Sequence, residues 1–420
     1  MSLVLTAEER AMAAGSRGPA VAMAARILGE TAAMLGAERL VAVTSSHVDG
    51  CLYHGDSGVH FAERLAADGG RVAVPTTLNV GALDLLHPGR VQFDQRTTEM
   101  ARRMMLAYEQ LGCTPTWTCA PYQAGHRPHL GEHVAWGESN AVVFCNSVLG
   151  ARTNRLGDFL DICAAICGRA PDIGLHRDEN RHARLVVDTT RLSDALKQLD
   201  AFYPVLGAWL GAEAGAEIAA ITGLTGPIAE DRLKALGAAA ASSGAVGLFH
   251  IVGVTPEAPD LASATGGRDP ARTILLTPAM LRAARDRLST ASAGTDRIDA
   301  VAVGSPHFSA EEFAALDRLV AGARLKVPFY ACTSRSMLGT IERNGALARL
   351  SQAGVEIVTD TCVVVAPILP KAGGVLMTNS GKFAHYATPN TGFATIYGSL
   401  ADCVASALSG RVTRDERLWS

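Results

Sequence analysis

Three cysteines stand where a chain could use a thiol for chemistry rather than for packing. Cys119, Cys145 and Cys362 each sit beside Thr, Asn or Asp groups at an element boundary. They come from distant parts of the chain. Three thiolates brought together in that way suit a soft metal or an iron–sulfur cluster. No ferredoxin-type run accompanies them, so spacing alone names no cluster. Two cations, Arg335 and Lys382, lie in similar polar knots. Such cations can hold a carboxylate, and arginine can do so with two parallel hydrogen bonds. Arg152, in the turn Gly150-Ala151-Arg152-Thr153-Asn154, is a third cation of this kind and equally well placed to start a helix.

Other constellations compete. His126-x2-His129-x3-His133 could bind zinc or iron, but it lies in a Gly/Pro-rich loop rather than on a helix. Polar loop contacts are favoured there. Cys163-x3-Cys167 falls on the apolar face of a helix and reads as core. Free cysteine elsewhere is usually a small buried hydrophobe. No GxGxxG follows a strand and no GxxxxGK[ST] occurs, so nucleotide phosphate binding lacks its signature.

The elements that must position these groups are centred on Val355–Tyr386, where apolar runs alternate with polar knots. In open α/β sheets ligands sit outside the carboxyl ends of the strands. Seven predicted strands end in such knots: SSH, TTLN, CNS, GSPH, CTSR, DTC and NSGK. They supply Ser46, His47, Asn146, Ser334 and Ser380 beside the thiols and cations. Ser, Thr, Asn and Asp are also favoured helix caps, so several must serve there too. Taken together, the seven ends favour a site.

Apolar patterning predicts strands at Leu40–Thr44, Arg71–Pro75, Ala141–Phe144, Leu185–Val187, Glu217–Thr222, Gly247–Val252, Asp299–Val303, Val327–Ala331 and Val355–Val358. Helices are predicted at Thr97–Leu111, Glu230–Ser243 and Met337–Ala353. Capping boxes are predicted at Thr6/Glu9 and Ser309/Glu312. The division this implies is a first α/β lobe at 1–172 with Cys119 and Cys145, an inserted α/β or α+β lobe and linker at 173–270, and a second α/β lobe at 271–420 with Cys362.

The 420 residues are 48% hydrophobic and 19% charged, enough for two or three domains of roughly 100–200 residues each. Formal net charge is −3 with no basic block, so nucleic acid binding has no electrostatic footprint. Apolar runs fall far short of the roughly 20 residues of a membrane span. The start, MSLVLTAEERAMAAG, is a poor secretory signal. Nine cysteines, an odd number without export signal, point to reduced thiols and a cytoplasmic protein.

The motifs SSHVDGCLYHGDSGVHFAERL, VAVPTTLNVGALD, TCAPYQAGHRPHLGEHVAWGESNAVVFCNSVLGARTNR, SSGAVGLFHIVGVTPEAP, GSPHFSAEEF, DTCVVVAPI and TNSGKFAHY cover most of the chain. Together they resemble the large subunit, or catalytic domain, of the aconitase X family of hydro-lyases. The resemblance implies an aconitase-like, multi-lobed α/β body whose strand ends converge on an iron site. It implies dehydration of a small hydroxy acid: cis-3-hydroxy-L-proline to a pyrroline carboxylate, or alternatively mevalonate 5-phosphate. A non-catalytic iron-binding relative is the contrasting possibility.

Carried onto this chain, the resemblance makes Cys119, Cys145 and Cys362 the metal ligands. Many relatives have a cysteine where Ser305 stands here, so a four-cysteine cluster lacks a donor. A [2Fe-2S] cluster or a mononuclear iron is the expectation. Lys382 and Ser380 are expected in catalysis, with Ser46, His47, Asn146, Arg152, Ser334 and Arg335 on the substrate. A small swivel-domain subunit on a separate chain is the expected partner and would bring the base.

Overall fold

The computed structural model describes residues 3–370 and 373–419. The chain divides into two compact units. Met1–Leu83 and Phe93–His182 form one; Asp84–Gln92 and Ala183–Ser420 form the other.

The first unit holds β1 (Leu40–Ala42), β2 (Ser46–Val48), β3 (Thr76–Leu78), β4 (Ala135–Trp136) and β5 (Arg169–Pro171). Strands β3-β2-β4 make a parallel sheet, and β1 pairs antiparallel with β5. The register sets His47 opposite Thr77 on one side and Trp136 on the other. Residues paired across neighbouring strands share a face. Three side chains from distant sequence therefore meet there.

The turn leaving β2 is held from below by an acid. Asp161 accepts hydrogen bonds from the backbone N–H groups of Asp49 (2.7 Å), Gly50 (3.1 Å) and Ile162 (2.7 Å). Burial lifts its pKa to about 7, against the pull of those donors. An acid inside the otherwise apolar helix Leu160–Cys167 is the feature that gives it away.

The second unit contains two all-parallel sheets. One has β6 (Leu185–Asp188), β7 (Ala219–Thr222), β8 (Phe249–Ile251) and β9 (Arg272–Leu275), in the order β8-β7-β6-β9. The other has β10 (Ala300–Val303), β11 (Phe329–Thr333), β12 (Val355–Thr359), β13 (Val375–Thr378) and β14 (Ala394–Tyr397), in the order β12-β11-β10-β13-β14. Parallel sheets are covered on both faces, which is why β10 reads AVAV without alternation. Val301, Val303, Phe308, Phe313, Phe329 and Ile357 form its core. The winding reverses between β10 and β13, which creates a switch point at their carboxyl ends.

Helices Phe202–Ala214 and Glu230–Ser243 pack at very short range. A Cβ on Gly207 would stand 2.2 Å from the Leu236 carbonyl oxygen, so only glycine admits this approach. Lys234, 1% exposed, pairs with Asp231 at 2.8 Å and with Glu312 of the helix Ala310–Val320. Among the described residues no helix is long and apolar enough to cross a membrane.

Both capping boxes form as expected. Elsewhere the elements shift. The knot SSH follows β1 but runs directly into β2 (Ser46–Val48), and TTLN follows no strand: none forms at Arg71–Pro75, and Thr76–Leu78 is itself β3. The segment before CNS is not a strand but the helix Ser139–Phe144, running into a π turn at Cys145–Leu149. Glu138 starts it by accepting from Ala141 N–H at 2.6 Å. Short apolar runs fit a buried strand or a buried helix equally, and here the cap decides. The helix expected at Met337–Ala353 is two, Arg335–Arg343 and Ala346–Ala353, parted by Gly345 at φ +76°.

Two outcomes follow from this packing. Because folding raises the Asp161 pKa, its contribution is present below the unfolded value and is lost as pH rises through about 7. A shift from 3.8 to about 7 corresponds to at most about 4 kcal/mol. Asp161→Asn should flatten the dependence of unfolding free energy on pH between 4 and 8; an unchanged profile would refute the assignment. Gly304 has φ +85°, and a Cβ there would lie 2.2 Å from the Cys332 carbonyl oxygen. Gly304→Ala should lower the urea unfolding free energy by at least about 1–3 kcal/mol.

Candidate active site

In the first unit the sheet β3-β2-β4 carries a buried polar chain. His47 Nδ1 lies 2.8 Å from Thr77 Oγ1, which lies 2.7 Å from His126 Nδ1. The Trp136 ring packs on both imidazoles, with centroids 5.6 and 5.0 Å away. Burial pushes the pKa of His47 down to about 3 and that of His126 to about 4, so both rings are neutral. Ser46 Oγ donates to the Ala135 carbonyl at 2.6 Å and stitches β2 to β4.

The loop histidines separate. His126 joins Thr77, the His129 backbone N–H donates to Glu132, and His133 Nδ1 meets His176 Nδ1 at 2.9 Å. Among the described residues no group of three or more His, Cys, Asp or Glu is arranged to hold a metal ion.

Cys119 and Cys145 belong to this unit, and both are buried and in no disulfide. The Cys119 carbonyl accepts from Asn140 Nδ2 at 3.0 Å. Cys145 opens the π turn, and burial pushes its thiol pKa up while Arg181 pulls it down. Asn146 exchanges two hydrogen bonds with the Thr153 backbone, at 2.9 and 3.0 Å, and accepts from Arg181 at 3.2 Å. Arg152 pairs with Asp178 and donates to the His176 carbonyl at 3.4 Å.

In the second unit the polar ends gather at the carboxyl edge of the five-stranded sheet. Past β12, Asp360 adopts φ +62°, unusual without a glycine. Arg335 Nε and Nη2 each reach an Asp360 oxygen at 2.7 Å. Burial raises the Asp360 pKa and this pair opposes the rise. Ser334 caps the helix Arg335–Arg343 by accepting from Met337 N–H at 3.3 Å. Thr361 Oγ1 is buried without a hydrogen-bond partner, next to Cys362, which is 6% exposed. His307 Nε2 lies 3.2 Å from the Thr361 carbonyl.

Past β13, Ser380 caps the helix Gly381–Thr391, accepting from Phe383 N–H at 2.9 Å and donating to the Ser305 carbonyl. Lys382 sits in the first turn of that helix, half-buried. A cavity of about 640 Å³ opens here, lined by Ser305, Pro306, Asn379 and Ser380 and, on its far side, by Lys234 and Glu312. It lies at the switch point of the sheet, where ligands of open α/β sheets are found.

The expected residues thus fall into two groups. Ser46, His47, Cys119, Cys145, Asn146 and Arg152 are in the first unit; Ser334, Arg335, Cys362, Ser380 and Lys382 are in the second. Asp360, Arg181, Thr77 and Asp161 escaped as individuals, although the DTC and TTLN knots contain two of them.

Comparison with known proteins agrees with this architecture. The aconitase X first domain matches residues 2–179, the second domain 183–286 and the third domain 298–409. The cis-3-hydroxy-L-proline dehydratase of Pseudomonas aeruginosa is 45% identical over 99% of this chain and 72% of its own. That of Hypocrea jecorina is 41% identical over 98% and 69%. The phosphomevalonate dehydratase large subunit of Methanothermobacter thermautotrophicus is 38% identical over 93% and 95%. The crystal structure of the holo-form of Thermococcus kodakaraensis aconitase X superposes with a TM-score of 0.86 at 33% identity, covering 96% of this chain and all of that one. Fold, domain matches and sequence identity lead to one conclusion: the chain belongs to the aconitase X family.

Proposed function

We propose that this chain is the large subunit of an iron-dependent hydro-lyase that removes water from cis-3-hydroxy-L-proline to give a pyrroline carboxylate. The observation that carries it is 45% identity, across 99% of the chain, to a dehydratase of that substrate. Relatives named as large subunits match over 95% of their own length, which supports a small-subunit partner bearing the base. Nine cysteines, none of them in a disulfide, support a reducing, cytoplasmic setting.

The donor set suits iron: Cys119, Cys145 and Cys362 are soft thiols outside any disulfide, and the orphaned Thr361 hydroxyl beside Cys362 suits a bound group. These three are the proposed ligands of a [2Fe-2S] cluster or a single iron. When bound, iron with an open position supplies Lewis-acid polarisation of the substrate hydroxyl.

Lys382 and Ser380 are the proposed catalytic pair at the cavity edge, Lys382 holding the carboxylate. Their place on a helix first turn favours negative charge. His47 is proposed to face the leaving hydroxyl, and Ser334 to help hold the carboxylate. Arg335 reaches a substrate carboxylate in bidentate fashion only when its pair with Asp360 opens. Arg152, Asn146 and Ser46 are tied into the frame of the first unit and act by holding it.

Oxygen-free enzyme with its small subunit should dehydrate cis-3-hydroxy-L-proline and leave mevalonate 5-phosphate untouched; the reverse preference would overturn the substrate. Lys382→Ala should lower kcat/KM by about 100-fold with iron content unchanged. Cys362→Ala should lose iron, and wild-type sulfide content separates a cluster from a single iron.

A further inference from the structure

Residues Asp84–Gln92 lie in sequence between two stretches of the first unit, yet they pack with the second. They form no helix or strand, so side chains must give this strap its shape. Asp84 is its organising residue. The carboxylate is fully buried, and Oδ1 accepts from the backbone N–H groups of Leu86 (3.1 Å) and His87 (2.9 Å). An aspartate that bonds its own backbone two residues on builds a turn. Oδ2 pairs with Arg90 Nη1 at 2.9 Å and closes that turn from its far end.

The strap then grips β12 and the turn beyond it. Arg90 Nη1 donates to the Ile357 carbonyl. Thr359 Oγ1 donates to Asp84 Oδ1 at 3.3 Å. The Leu85 N–H donates to Asp360 Oδ2 at 3.3 Å, on the carboxylate that Arg335 also holds. The Gln92 N–H donates to the Pro367 carbonyl at 2.9 Å. Three of these contacts precede Cys362 in the sequence and the fourth follows it, so the strap brackets the thiol. Inside the bracket the Cys362 carbonyl accepts from the N–H groups of Val365 and Ala366, each at 3.1 Å. Removing one partner of a buried ion pair strands the other, so the Asp84–Arg90 anchor is stiff.

We propose that the strap Asp84–Gln92 holds Cys362 in the place from which it ligates iron, with Asp84 as the positioning residue. This rests on the iron-ligand role of Cys362 proposed above. Asp84 acts through Thr359, Arg90 and the strap backbone and touches neither iron nor substrate. Groups that orient a metal ligand govern metal affinity by about 10- to 100-fold.

The test compares wild type with Asp84→Ala, each as the whole chain purified without oxygen. Iron should pass to a ferrous chelator about 10- to 100-fold faster from the variant. Once iron has been stripped, maleimide labelling read by peptide mass spectrometry should be at least about 10-fold faster at Cys362, because a local opening exposes only the segment that opens. Cys403, buried in the core of the same sheet, should keep its wild-type labelling rate.

Equal acceleration at both thiols would mark an aspartate that only stabilises the fold, and would overturn the proposal. Wild-type labelling of Cys362, or wild-type retention of iron, would overturn it too. Where Asp84→Ala folds poorly, Arg90→Met cuts the links to Asp84 and Ile357 and carries the same comparison. A wild type without iron would instead overturn the iron role of Cys362, while the two labelling rates still decide whether the strap holds it.

Discussion

All five strands of the larger sheet run the same way, so every carboxyl end lies on one edge. That single constraint organises the second unit. The buried apolar strands cannot host chemistry, and the polar residues are confined to the turns just beyond them. Where the winding reverses, adjacent turns diverge and a cavity opens without any residue having to be hollowed out. The first unit applies the same geometry with three short strands, and it is the lateral register, rather than the strand end, that assembles His47, Thr77 and Trp136.

Polar groups in such places face a conflict. A buried hydroxyl, amide or charge must be satisfied, and satisfying it within the protein withdraws it from a ligand. Asn146, Arg152 and Ser46 are resolved in favour of the frame: each is committed to backbone or counter-charge. Arg335 is half-committed, since its grip on Asp360 fixes a strained turn next to Cys362. Thr361 Oγ1 and His126 Nε2 lack partners and so remain open to something not supplied by the chain.

Much of this was legible in the sequence. The apolar runs of β10 to β13, the capping boxes at Thr6 and Ser309 and the knots GSPH, CTSR, DTC and NSGK lie where patterning put them. The failures have physical causes. TTLN was placed after a strand at Arg71–Pro75, yet β-branched threonine suits a pleated surface, and there it forms the strand itself. Ala141–Phe144 is too short for period to separate strand from helix, and Glu138 decided it. The pairings His47–Thr77–His126 and Asp161 with the β2 turn depend on register between segments 30 to 112 residues apart, which no local pattern encodes.

The Lys234 ion pair reaches beyond stability. Lys234 belongs to the stretch matched as the second domain, Glu312 to the third. Lys234 also has Asp231 of its own stretch at 2.8 Å and Glu312 also closes its own capping box, but the contact between them joins the two domains through charge. Such domains are separable on paper but not by recombination. A lineage that swapped one for a foreign copy would inherit a buried lysine that had lost one of its two carboxylates. The two must therefore be inherited, and diversify, as one module.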